Sequence, residues 1–158
     1  MNTIRRYNRA MPDSKLAQLT ALPALPGTYA LLLYLPRAAR LQVGRLGTFD
    51  FPRGYYVYVG SARGAGGLRP RVLRHWRDAK RIHWHIDYLR AVARPVRVWY
   101  STDTHVKECA WAEMLQARGA GNVASRFGAS DCRCPAHLFH FARPPRLRFT
   151  SHPNSTKF

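Results

Sequence analysis

Gly54-Tyr-Tyr-Val-Tyr-Val-Gly60 runs without a break into Ser61-Ala-Arg-Gly-Ala-Gly-Gly-Leu68-Arg-Pro-Arg71-Val-Leu-Arg-His75-Trp-Arg-Asp78. Aromatic and β-branched residues held between two glycines make the first seven residues a strand. The glycine-rich turn that follows opens a helix, in which Pro70 is well placed because a first-turn N–H has no helical partner to lose. Leu68, Val72, Trp76 and Ala79 recur at near-helical spacing and form an apolar face. Arg71 and His75 stand one turn apart and share a side that lies next to that face but is distinct from it. A strand thus delivers Tyr58 to a turn, and the helix beyond it presents a cation and an imidazole.

On the N-terminal side, Gly27–Leu35 is an apolar run of strand length stopped by Pro36, and residues 40–45 alternate as an exposed or edge strand does. With residues 47–54 as a connection, the three strands suggest an antiparallel meander. On the C-terminal side, residues 83–91 suit a short helix and residues 95–101 a strand. Residues 105–118 suit a helix with Val106, Ala110, Met114 and Ala117 inward and Gly119 as the C′ residue. Residues 127–134 read as a polar loop and 136–142 as a last strand. The expected fold is α/β of the α+β kind: a small antiparallel three-stranded sheet flanked by helices, with a C-terminal extension packing on it. Its expected boundaries are a basic leader over residues 1–26 with a short helix near 14–20, a domain over 27–143, and a loose basic tail over 144–158.

Lysine and arginine number 26 against 8 acidic residues, a formal net charge of +18 on 158 residues. Such a surface repels itself unless it meets a polyanion, and its preponderance of arginine favours phosphate. Nucleic acid is therefore the leading partner, ahead of an anionic membrane surface. No apolar run approaches the roughly 20 residues that span a bilayer. The start, Met1-Asn-Thr-Ile-Arg-Arg, has no apolar signal core behind it, so the cytoplasm is the expected compartment.

Gly27-Thr-Tyr29 and Tyr58-Val-Gly60 each set a tyrosine beside a glycine at a strand end. Arg71 and His75 follow on the helix after the second tripeptide, and Glu108, one of two glutamates, sits in a later helix. In this order the four elements resemble the GIY-YIG nuclease superfamily, over roughly half of the chain. Gly54–Ser61, His83-Trp-His-Ile-Asp87 and Ser130-Asp-Cys-Arg-Cys-Pro-Ala-His137 are similar to its small stand-alone Uri-like branch. One departure stands out: residues 30–57, 28 of them, separate the two tyrosines, room for an extra strand or a long loop.

Phosphodiester hydrolysis needs an activated water, a cation on the scissile phosphate and help for the leaving oxygen. Tyrosine ionises near ~10, so it is a poor base unless cations stabilise its phenolate. The resemblance implies that Tyr29 or Tyr58 is that base and that Arg71 holds the phosphate or the phenolate. It implies that His75 orients water or relays a proton, and that Glu108 binds a single Mg²⁺ or Mn²⁺. Arg63, Arg69, Arg74, Arg77, Lys80, Arg81 and His85 are the expected nucleic-acid contacts. Asn122, or the more distinctive Ser130 and Asp131, stands where the family has a late asparagine. The expected function is a metal-dependent DNA endonuclease selective for strand or structure, with a non-catalytic nucleic-acid-binding protein as the alternative and RNA as a further target.

Cys132, Cys134 and His137 carry donors that suit structural zinc, and Cys109 would add a fourth. The usual close pair is Cys-x₂₋₄-Cys, so the Cys-x-Cys spacing argues instead for small buried thiols. His83, His85 and Asp87 read as residues facing DNA or buttressing the site rather than as metal ligands.

Overall fold

The computed structural model describes residues 12–78 and 81–149. In chain order the elements are α1 (Asp13–Thr20), β1 (Gly27–Leu35), β2 (Ala39–Val43), β3 (Gly47–Phe51), β4 (Gly54–Ala62) and α2 (Leu68–Trp76). They continue with α3 (His85–Arg90), β5 (Arg94–Ser101), α4 (Glu108–Ala117) and β6 (Leu138–Phe141). The mixed α+β architecture and the antiparallel sheet flanked by helices match the sequence reading. The sheet has four strands rather than three, in the order β5-β1-β4-β6, and β2 is not among them. Instead β2 pairs with β3 in a separate ribbon, from Ala39 opposite Phe51 to Val43 opposite Gly47. The expected connection over 47–54 is thus half strand, and the long gap between the two tyrosines is this inserted ribbon.

The apolar run of β1 is explained by burial on both sides, which favours continuous rather than alternating hydrophobicity. On one face Tyr29, Leu31, Leu33 and Leu35 join Tyr56 and Tyr58 of β4 in a core closed by α1, α2, α3 and the ribbon. On the other, Ala30 and Leu32 join Val57, Val59 and Trp99 beneath Trp111, Ala112 and Leu115 of α4. Leu147 and Phe149 are buried in that second core, with the Phe149 ring centre 4.4 Å from that of Trp111. The chain after Pro144 therefore packs as far as Phe149, where a loose tail is the sequence expectation.

The described part of the leader, residues 12–26, is equally integrated; residues 1–11, like 150–158 of the tail, lie outside the described residues. Leu19 and Leu22 are fully buried, and the carbonyls of Leu25 and Pro23 accept the first N–H groups of α2, from Leu68 at 2.9 Å and Arg69 at 3.3 Å. These contacts satisfy donors that a helix start leaves orphaned.

Candidate functional site

Strand register brings the two tripeptides together. Tyr29 lies opposite Gly60, Thr28 opposite Ser61, and Tyr58 is two residues along from Gly60 on the same face. The tyrosine rings sit 6.4 Å apart, centre to centre. A Cβ on Gly60 would lie 2.6 Å from the Tyr29 hydroxyl oxygen, and one on Gly27 would lie 2.3 Å from the Ser101 carbonyl. Each glycine is therefore fixed by packing. Gly60→Ala is expected to displace the Tyr29 ring and lower stability by about 1–3 kcal/mol, as overpacking does; a urea melt superimposable on wild type would refute it.

Tyr29 is fully buried, and its hydroxyl shares a hydrogen bond of 2.8 Å with Nε2 of His75, itself fully buried. The expectation that His75 lies off the apolar face of α2 is thus corrected: the imidazole is enclosed by the Tyr29 and Tyr58 rings and by Trp84, just before α3, at 5.8 Å. Arg90, a residue the sequence did not single out, braces this corner. Its Nε donates to the His75 carbonyl at 2.6 Å, and its remaining groups bind the Ala93 carbonyl and Asp78.

An open pocket of about 220 Å³ lies at this end of the sheet, lined by Tyr29, Tyr58, Arg71 and Glu108 together with His83, Trp84 and His85. The loop before β6 closes it with Gly128, Ser130, Asp131, Cys132 and His137. Four of the five expected catalytic residues therefore share one cavity, with His75 directly behind Tyr29. Asn122 is not among the lining residues, whereas Ser130 and Asp131 are.

Glu108 reaches the pocket because the segment before α4 is tied to β1: the buried Thr28 hydroxyl donates to the Val106 carbonyl at 2.9 Å. Its side chain stays 27% exposed, with an Arg63 nitrogen 4.0 Å from the carboxylate. Arg71 stacks on Trp84, its guanidinium carbon 4.2 Å from the ring centre. Arg74 stands equally close to the same ring and is held by both oxygens of Asp87, at 2.8 and 2.9 Å.

Of the other expected nucleic-acid contacts, Arg69 is exposed but donates Nε to the Leu22 carbonyl at 2.7 Å. Arg63, Arg77 and Arg81 are exposed, and Lys80 lies outside the described residues. His85 accepts the Gly128 N–H at 3.1 Å through Nδ1, so it fastens the loop to α3 as well as lining the pocket. Helix α3 begins two residues later than expected. Asp87 accepts the N–H groups of His83 and Trp84 at 2.8 and 3.0 Å, so His83 precedes the helix. Gly128, at φ 72°, has the Tyr58 ring 2.8 Å from where a Cβ would stand.

Burial governs the electrostatics of the two tyrosines. Burial raises the Tyr29 hydroxyl well above its ordinary pKa, Tyr58 adds to the rise, and Arg71 opposes it. Burial likewise lifts Tyr58 to about 12, again against Arg71. Both phenols are therefore protonated at neutral pH in the free protein. Burial lowers the pKa of His85 and His137, favouring neutral imidazoles.

Beside the pocket, Cys109, Cys132, Cys134 and His137 bring four ligand atoms within 4.8 Å of one another. Where the Cys-x-Cys spacing argues for buried thiols, the fold assembles a complete set of donors for a metal ion. The signal was divided between α4 and the loop before β6, and spacing within one segment cannot report it.

The model of a domain of unknown function, DUF123, matches residues 28–155. The chain belongs to the DUF123 family. No curated protein and no solved structure matches it. The DUF123 span takes in both tyrosines, Arg71, His75, Glu108 and the thiol–imidazole cluster, so the pocket lies entirely within the matched residues. No described helix is long and apolar enough to cross a membrane.

Proposed function

We propose that this DUF123 protein is a divalent-metal-dependent endonuclease acting on DNA phosphodiester bonds, related to the GIY-YIG nucleases and, within them, to the Uri-like branch. The carrying observation is that Tyr29, Tyr58, Arg71 and Glu108, from β1, β4, α2 and α4, line a single pocket on a strongly basic chain. Arg71, braced on Trp84, presents a planar guanidinium suited to a phosphate. Glu108 offers the hard oxygen that Mg²⁺ or Mn²⁺ takes, and Asp131 lines the same cavity. One or two carboxylates are what Mg²⁺ uses when water and substrate oxygens supply the rest, so the donor set fits. Such an ion would supply positive charge to the phosphate oxygens. Zinc is the softer ion that the Cys109, Cys132, Cys134 and His137 set would take. The tyrosine on the water side acts as base, and His75 receives or returns a proton through the Tyr29 hydroxyl.

The burial of both phenols favours one alternative. With both phenols protonated, the free pocket is better prepared to bind a phosphate than to cleave it, as a non-catalytic nucleic-acid-binding protein would be. End-labelled single-stranded, duplex and branched DNA, with RNA counterparts, incubated with Mg²⁺, Mn²⁺ or EDTA, separate the two readings. Cleavage that needs the metal supports the nuclease. Binding of every substrate with no cutting under any metal leaves the binding protein.

A tyrosine base also fixes the sign of the pH dependence. The base works deprotonated and starts from a raised pKa, so kcat/KM should climb with pH across the neutral range, by up to about tenfold per unit. Arg71→Ala removes the cation that lowers the Tyr58 pKa, so its profile should move to higher pH, and Arg71→Lys should move it less. A profile that is flat, or that falls with pH, would rule out the phenolate.

A further inference from the structure

The chain has three cysteines, and all three meet at one point together with a single histidine. The Cys132 and Cys109 sulfurs lie 3.4 and 3.8 Å from Nε2 of His137. Tetrahedral zinc, with Zn–S near 2.3 Å and Zn–N near 2.0–2.1 Å, sets sulfur–nitrogen edges at about 3.6 Å. Two edges of the cluster already match that coordination sphere, and all four donor atoms lie within 4.8 Å of one another. Four protein donors also close the sphere, which is the pattern of a structural rather than a catalytic zinc. An iron–sulfur cluster, as a rule, uses four cysteines, one more than the chain has.

The donors are held in place by hydrogen bonds to the backbone of the loop that carries them. Arg126, at φ 64°, turns its guanidinium into the loop and donates to the carbonyls of Cys132 and Cys134, each at 2.7 Å. The His137 carbonyl accepts the Val59 N–H of β4 at 2.9 Å, and its N–H donates to the Phe127 carbonyl at 2.8 Å. Cys109 is the second residue of α4, directly after Glu108, and the start of that helix has no side-chain cap. The cluster therefore joins three pieces: the first turn of α4, the loop over 126–137, and the strand that carries Tyr58.

We infer that Cys109, Cys132, Cys134 and His137 bind one zinc ion whose task is to hold Glu108 in the pocket by stapling the start of α4 to the loop before β6. The zinc binding stands on the cluster alone, while the consequence for Glu108 rests on the nuclease reading. Binding replaces the thiol protons, which pass to solvent, and involves no redox change. Loss of the ion leaves three thiols side by side and leaves the turn that presents Glu108 held from the β1 side alone, by Thr28, so zinc removal should reduce metal-dependent cleavage by about tenfold or more even with Mg²⁺ in excess.

The test uses the untagged full chain, purified with reductant and dialysed into metal-free buffer. Elemental analysis should find one zinc per molecule. Cys134→Ser and His137→Ala should each weaken zinc binding by about 100-fold or more in competition with a chromophoric chelator, since even outer-sphere partners cost 10–100-fold. If either variant does not fold, Co²⁺ titration of the metal-stripped wild-type chain gives the same answer. Thiolate-to-cobalt charge transfer with tetrahedral ligand-field bands, saturating at one equivalent, supports the site. No zinc, no cobalt spectrum, or a Cys109 disulfide in the freshly reduced protein overturns it. Zinc bound at one equivalent with undiminished cleavage after its removal overturns the staple. Zinc bound and required for the melting temperature, with no cleavage by the zinc-loaded protein, keeps the site and refutes only the nuclease.

Discussion

Glu108→Ala is expected to reduce metal-dependent cleavage by about 10²–10³-fold, the scale on which one group stabilising transition-state charge is lost, and to leave DNA affinity essentially intact. Affinity for a polyanion comes from the summed cations, and the Arg63, Arg71, Arg77 and Arg81 side chains remain in place. Removing a carboxylate should if anything tighten binding, because it takes one negative charge from beside the phosphate. Its removal should cost little stability: the side chain is 27% exposed and its closest cation, Arg63, is 4.0 Å away and half exposed, a pair worth at most ~1 kcal/mol. Glu113 is the natural control. It is exposed and five residues further along α4, so Glu113→Ala should cleave as wild type does. Gel-shift titrations beside single-turnover cleavage measure the two quantities separately. Parallel loss of binding and cleavage would mean that Glu108 holds the fold rather than the ion, and equal cleavage by Glu108→Ala would remove it from the site.

Much of this pocket is legible in the sequence because the features that build it are local. Tyr29 and Tyr58 sit beside glycines that packing requires, and Arg71 lies one helical turn before His75. What sequence patterns miss is how distant segments meet. Residues 40–45 alternate as a strand should, and β2 is a strand, but alternation names no partner. The next strand in sequence, β3, captures it at short range, and the fourth place in the sheet goes to β6. His75 looks like a neighbour of Arg71 set off from the apolar face because helical periodicity sees only α2; it is buried because Trp84 and the two tyrosines pack around it, and the Tyr29 hydroxyl bonds its Nε2. The thiol cluster fails the usual spacing rule because Cys132 and Cys134 are one residue apart, and Cys109 joins them from α4. Arg90 and Arg126 were lost among the many arginines, since composition does not separate an arginine that braces backbone carbonyls from one that faces solvent.

The buried pair behind the site should carry the largest stability effect. Asp87 is 2% exposed. Its carboxylate takes two hydrogen bonds from Arg74 and two more from the N–H groups of His83 and Trp84. Asp87→Ala would strip a mostly buried guanidinium of its counter-charge and orphan both N–H groups at the start of α3. Breaking one side of a buried pair costs about 3–5 kcal/mol, a large share of the 5–15 kcal/mol that holds a typical domain together. The urea midpoint should fall accordingly with little change in the slope. Asp87→Asn, which keeps the shape and an acceptor oxygen, should fall by less. Function should follow, because Asp87 fixes Arg74 beside Trp84 and Trp84 is the surface on which Arg71 lies. The double variant Asp87→Ala/Arg74→Ala decides whether the pair is the cause. Once the guanidinium is gone no uncompensated charge remains, so the two losses should fall short of additivity by 0.5–3 kcal/mol, about the coupling seen between contacting residues. Strict additivity would mean that Asp87 acts only as the cap of α3 and that Arg74 is a bystander.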